Sequence, residues 1–195
     1  AQQGDLLASV NQSGANIIGL IAGTFHQNLS VWHNEVCYLL SRGVVIYGAS
    51  SMGALRATET DRFGMIGVGK IYRWYKDAFI NGDDEVALLH GDENTGFHPL
   101  SLPLVNIRAS VESAVSNSRL SEDAAAQLIE IAREIYYPDR QVEVILRRCR
   151  EAQLSDMQQE SARLALTEDY IDLKKADARE MLVAPRGVSR VIAGR

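Results

Sequence analysis

Two short apolar runs, separated by an amphipathic helix pattern, constrain this chain more than any other feature. Asn16-Ile-Ile-Gly-Leu-Ile21 is bounded by glycines and reads as a buried strand. Val44-Val-Ile-Tyr47 reads as a second. Between them Ser30 is placed to cap a helix through Trp32, Val36, Leu39 and Leu40, which Gly43 ends. A strand, a helix and a strand at this spacing form a βαβ unit. Its strands are expected to be parallel neighbours joined by a right-handed crossover.

The rest of the chain is laid out around that unit. Gly4 to Val10 predicts a short helix. Phe63 to Gly69 carries three glycines and predicts a loop. Lys70 to Phe79 predicts a helix with Ile71, Trp74, Tyr75 and Ala78 on one face, and Asn81 to Asp84 a turn. Glu85 to Leu89 predicts a strand, and Pro103 suits the first turn of a helix through Ala114. From about residue 105 the signals are helical only. Ser121, Asp139, Ser155 and Thr167 are the expected N-caps, and Ser155 with Gln158 matches a capping box. The fold class is therefore α/β, a small mostly parallel sheet with flanking helices and an all-helical C-terminal part. All 195 residues are read as one domain, with an α/β core over 1–104, a helical part over 105–195 and a poorly ordered tail over 183–195.

Composition excludes several classes. The chain has 46% hydrophobic and 23% charged residues, an ordinary globular balance that argues against disorder. The net charge of −5 disfavours a nucleic-acid binder, which needs a basic surface. No apolar run is long enough to span a membrane, and the first residues carry no basic, signal-like segment. Cys37 and Cys149 form neither a disulfide framework nor a zinc motif, which suits a cytoplasmic protein. His33 and Cys37 share a helix face, but two ligands do not make a metal site. Gly64 to Ile71 resembles a phosphate-binding loop but ends in Ile, so it lacks the hydroxyl for magnesium. No cofactor is implied.

The most informative local feature is Ala49-Ser-Ser-Met-Gly53, which follows a strand and opens a helix. Read as A-x-S-x-G, it places Ser51 at a sharp turn like a nucleophile elbow. Small residues at 49 and 53 let strand and helix pass closely, and the helix N-terminus offers N–H groups to an oxyanion. Two other readings stand beside it: Ser51 caps the helix, or the turn binds an anion without chemistry. A serine nucleophile needs a base. His26 and His33 lie near the same sheet edge, but spacing indicates no acid partner for either. Only four lysines occur, and Lys174 is the informative one. At 100° per residue it falls inside the apolar arc of Tyr170, Ile171, Ala178, Met181 and Leu182, with Lys175 just beyond. A lysine on a buried face becomes a usable base, because burial disfavours its ammonium form. The other reading of Lys174 is an ion pair, for example with Asp177, or a stem that snorkels.

Several collinear blocks carry a family resemblance. They are Gly19 to His26, Val31-Trp-His33, Gly48 to Arg56, Phe63 to Gly69, Asp83 to Leu88, Pro103 to Arg108 and Tyr170 to Ala178. Together they resemble the TfuA family over about residues 4 to 182. The resemblance implies a partner of thioamide-forming YcaO enzymes, which exchange a peptide backbone oxygen for sulfur. It implies release of sulfide from a thiocarboxylated, ubiquitin-like carrier of the ThiS type, to supply modification of a ribosomal peptide or protein. It further implies a Ser–Lys hydrolase site, with the serine at Ser51 and the lysine at Lys174. In that scheme Lys174 takes the proton of Ser51, the N–H groups of Met52 and Gly53 hold the oxyanion, Arg56 holds the carrier's negative end, and His26 shapes the pocket. The alternative is a docking protein that binds YcaO and its peptide without chemistry. Three departures bear on that choice. The chain begins after a strand and Gly-Pro-Ser-Leu turn seen in many relatives. Ala22 stands where the family often has Asp, and Asn34 where it often has Lys or Arg.

Overall fold

The computed structural model describes residues 1–22, 29–96 and 98–183. These divide into two compact units, one of residues 1–81 together with the chain from 173 onward, the other of residues 82–172. The sequence set the start of the helical part at residue 105. Helices of the second unit do begin there, but the last helix groups with the first unit.

The first unit holds the sheet. Helix α1 spans Asp5–Ser13, strand β1 Ile17–Leu20, helix α2 His33–Ser41, and strand β2 Val45–Gly48. Helix α3 follows at Met52–Thr60, strand β3 at Ile66–Gly67, and helix α4 at Lys70–Lys76. The sheet order is β1-β2-β3, and both pairings are parallel, with Ile18 beside Ile46 and Tyr47 beside Ile66. The βαβ reading is thus correct. Its third strand was missed, because three glycines in Phe63 to Gly69 read as loop and only two residues pair. β1 lies at the sheet's edge and is less buried than expected, with Ile17 48% exposed. Leu6, Leu20, Val31, Val36, Leu39, Ile46 and Met65 form the core beneath α1, α2 and α3.

One helix start in this unit differs from the sequence reading. α2 opens at His33 rather than from a Ser30 cap, because Ser30 Oγ instead accepts from the Arg56 guanidinium at 2.9 Å. α1 has no cap from its own chain segment. The buried Glu35 carboxylate of α2 accepts the N–H groups of Gly4 and Leu7, at 2.9 and 3.0 Å. A carboxylate there satisfies orphan donors and complements the helix dipole.

In the second unit α5 (Leu104–Ser116), α6 (Glu122–Glu134), α7 (Val142–Glu151) and α8 (Asp156–Leu166) enclose a core of Leu104, Ile107, Val111, Leu128, Ile145 and Cys149. Glu85 to Leu89 forms no strand. Residues 83–85 make a single 3-10 turn instead, because Glu85 is drawn into a paired contact with Arg108 at 2.7 and 2.9 Å. Ser121 caps α6, and Ser155 with Gln158 forms the expected capping box on α8. Asp139 ends a 3-10 turn, and Gln141 precedes α7 instead. Thr167 closes α8 rather than opening the next helix. Beyond it, Asn106 donates to the Tyr170 hydroxyl at 2.8 Å and Asp172 at 3.1 Å, and Ser110 accepts the Ile171 N–H at 2.9 Å. Burial pushes the Tyr170 hydroxyl up to about 12, so it stays protonated as an acceptor for Asn106.

The last helix, α9, spans Leu173–Val183 and belongs to the first unit. Met181 packs on Tyr47 and Ala49 of the β2 segment, and α9 also lies against α4. Residues 184–195, most of the expected tail, lie outside the described residues. Among the described residues no helix is long and apolar enough to cross a membrane.

Candidate functional site

The chain turns from β2 into α3 through Ala49, Ser50 and Ser51, and the turn is strained. Ser50 has φ 71°, in the left-handed region that a residue with a Cβ avoids. The Ser51 N–H donates to the Ala49 carbonyl two residues back, at 2.9 Å. That bond and that φ define a γ-turn centred on Ser50, a rare and strained form. Ser51 follows at φ −119°, ψ −117° and opens α3. A residue in the Ser50 conformation costs of order 1–3 kcal/mol, and such residues cluster at functional sites.

Close packing holds the turn in place. Gly53 passes so near β1 that a Cβ there would stand 1.8 Å from the Leu20 carbonyl oxygen. A Cβ on Gly48 would stand 2.2 Å from the Gly53 oxygen. The small residue expected at 53 is therefore required, and Gly48 is required with it. The Ile21 carbonyl accepts from both Ser51 N–H (3.3 Å) and Gly53 N–H (3.1 Å), which staples the first turn of α3 to the end of β1.

These bonds change the expected oxyanion site. The Gly53 N–H is taken by Ile21, and the Ser51 N–H by Ala49 and Ile21. The Met52 N–H and the Ser50 N–H have no acceptor among the described residues and are the backbone donors left at this turn. Ser51 is the N-cap of α3 by position, yet its side chain makes no capping bond. Ser51 is 3% exposed, and its hydroxyl has no hydrogen-bond partner among the described residues. The helix-cap reading of Ser51 is thereby corrected.

Arg56 lies one turn into α3 and is held by its surroundings. Its guanidinium donates to the Val31 carbonyl at 2.6 Å, Ser30 Oγ at 2.9 Å and Glu59 at 2.6 Å. Glu59 also pairs with His33 Nε2 at 2.7 Å. Both residues thus fasten the lead-in of α2 to α3. His26 lies outside the described residues. Among the described residues no group of three or more His, Cys, Asp or Glu side chains is placed to hold a metal ion.

Lys174 is half-buried in the first turn of α9, and Lys175 is exposed. The apolar arc expected around Lys174 is not the buried face. That face runs through Leu173, Asp177 and Met181, while Leu182 points to solvent. The helix starts at Leu173, so Tyr170 and Ile171 lie before it, and Lys174 borders the stripe instead of sitting in its middle.

Asp177, 2% exposed, caps α4 across 106 and 107 positions of sequence. Its carboxylate accepts the Lys70 N–H at 2.9 Å and the Ile71 N–H at 2.7 Å. Gly69, at φ +96°, makes room for it, since a Cβ there would stand 2.3 Å from the Asp177 carboxyl carbon. Sequence reasoning offered Asp177 as a partner of Lys174 and missed this cap, because nothing local marks it. Burial pushes the Asp177 carboxyl above its ordinary value, against the two N–H groups that lower it. The folded chain therefore holds this proton more tightly than the unfolded chain, and stability falls as pH rises from below 3.8 through the raised value. Asp177→Asn is expected to flatten that slope while keeping an acceptor on α4. Asp177→Ala removes the cap and is expected to cost about 1–2 kcal/mol. Urea midpoints between pH 3 and 7 check both, and identical pH slopes in wild type and Asp177→Asn would refute the assignment.

The fold and this turn define a small parallel α/β protein with a buried serine at a strained strand-to-helix elbow. The chain belongs to the TfuA-like protein family, whose model matches residues 22–141, more than half of the sequence. The match includes Ser51, Met52, Gly53 and Arg56 and ends before Lys174. Membership associates the chain with YcaO-dependent thioamidation and with a protein partner in such systems. No curated protein matches the chain.

Proposed function

We propose that this protein is an accessory hydrolase that frees sulfide from a thiocarboxylated carrier of the ThiS type for YcaO-dependent modification of a ribosomal peptide. The observation that carries this reading is the Ser51 hydroxyl, buried at a strained turn on a helix N-terminus and not used as a cap. A hydroxyl kept from its usual structural work, at the mouth of a helix dipole, suits a nucleophile. Lys174, half-buried at the start of α9, is the proposed base.

The reaction balances without a redox partner. Ser51 Oγ attacks the carbonyl carbon of the carrier's C-terminal thiocarboxylate while its proton passes to Lys174. The Met52 N–H steadies the oxygen of the tetrahedral intermediate. The C–S bond then breaks, and sulfide leaves with the proton from Lys174. Water hydrolyses the Ser51 ester, giving the carrier carboxylate and the free serine. Transfer from the carrier keeps sulfide scarce in solution and delivers it where YcaO has activated the amide.

Sulfide release from a thiocarboxylated ThiS-type carrier tests the reading, with wild type, Ser51→Ala and Lys174→Ala compared. Both variants are expected to lose about 10³-fold or more in turnover with unchanged melting temperature. No release by the wild-type chain above buffer would reject the hydrolase reading in favour of a docking protein for YcaO and its peptide.

A further inference from the structure

Hydrogen-bond bookkeeping leaves the first turn of α3 a single backbone donor for an oxyanion. An oxyanion is ordinarily held by two or more preorganised donors. The Gly53 N–H is consumed by Ile21, and the Ser51 N–H by Ala49 and Ile21. From the first turn of α3 only the Met52 N–H remains, and the Ser50 N–H in the turn before it also has no acceptor among the described residues. A side-chain donor sits at the same turn. Ser50 is 3% exposed, and its hydroxyl has no hydrogen-bond partner among the described residues.

Ser50 is also an unexpected residue for its position. At φ 71° a glycine would sit without strain, whereas serine carries both the strain of its Cβ and a buried hydroxyl with no partner among the described residues. Among the described residues neither cost has a structural return, because the side chain bonds none of them. We infer that the Ser50 hydroxyl is the second oxyanion donor, acting with the Met52 N–H on the carbonyl oxygen that Ser51 attacks. This assignment rests on the hydrolase reading above. It makes Ser50 a catalytic residue whose contribution arises in the transition state, where the oxygen gains charge.

Ser50→Gly separates this role from a structural one. Glycine keeps the γ-turn and relieves its strain, so a merely structural Ser50 predicts equal or better stability and full activity. The oxyanion role predicts a melting temperature at or above wild type together with a fall of about 10²–10³-fold in kcat and little change in KM. Ser50→Ala, which keeps the Cβ and removes the hydroxyl, is expected to show the same kcat loss. Assays use the full chain and a thiocarboxylated ThiS-type carrier. Wild-type kcat retained by Ser50→Gly would overturn the assignment while leaving the Ser51 hydrolase intact. Release by Ser50→Gly no faster than in buffer would also overturn it, by making Ser50 the nucleophile. Absence of release by wild type would remove the hydrolase reading itself, and this assignment with it.

Discussion

Gly53→Ala lowers the stability of the first unit by about 3 kcal/mol, an overpacking cost at the top of its usual range. The reason lies in what the new methyl would meet. It would stand 1.8 Å from the Leu20 carbonyl oxygen, 2.7 Å from its carbon and 3.3 Å from the Ile21 nitrogen. All three are backbone atoms, so no side chain can rotate out of the way. α3 must back off from β1, and the Gly53 N–H bond to Ile21 lengthens from 3.1 Å. Two other glycines calibrate the effect. A Cβ at Gly19 meets only the flexible end of Met181, at 2.8 Å, and Gly19→Ala is expected to cost far less. Gly64 has no neighbour within 4 Å of that Cβ and is strained only by its φ of +108°. Urea midpoints rank the three. If Gly53→Ala unfolds no earlier than Gly19→Ala, the close approach of α3 to β1 is wrong. Because the same contact seats Ser51, the variant should also lose sulfide release.

Replacing Arg140 by Ala should cost the second unit about 3 kcal/mol, because buried carbonyls lose a charged donor and nothing fills its place. The guanidinium is 0% exposed and donates to four acceptors. Nε bonds the Ala132 carbonyl at 2.9 Å, and the terminal nitrogens bond the Ile135 carbonyl, the Asp84 carbonyl and the Asp84 carboxylate at 3.1 to 3.2 Å. Ala132 and Ile135 lie at the end of α6, so Arg140 caps that helix from outside and opposes its dipole. Burial pushes the guanidinium below its ordinary value, while Asp84 pulls it back up. It remains a cation, since arginine ionises far above neutral pH. Arg140→Lys keeps the charge but cannot span the fork, so it should recover only part of the loss. A denaturation midpoint for Arg140→Ala within 1 kcal/mol of wild type would show that the network contributes little.

Much of the site's frame was legible in the sequence because it is local. Apolar runs bounded by glycine gave β1 and β2, and Ala49 to Gly53 marked the elbow between β2 and α3. A capping box marked the start of α8. Each of these depends on neighbours a few residues apart. β3 escaped notice because two residues carry no period, and the Glu85 to Leu89 strand was misread because Arg108 holds Glu85 in a turn instead. The fate of single donors was also hidden. That Gly53 gives its N–H to Ile21 depends on how α3 meets β1, which no spacing records.

The sequence by itself determined an α/β chain with parallel β1 and β2, a serine at their sharpest turn, helices from residue 105, and membership in a recognisable family. Tertiary structure decided what each polar group does there. It set Ser50 into a strained turn, kept the Ser51 hydroxyl from capping α3, turned Arg56 inward to hold the lead-in of α2, and gave Asp177 to α4 as its cap. The physical reason is one of range. Periodicity and turn chemistry are set by adjacent residues, whereas a buried donor or acceptor must find its partner wherever packing brings one.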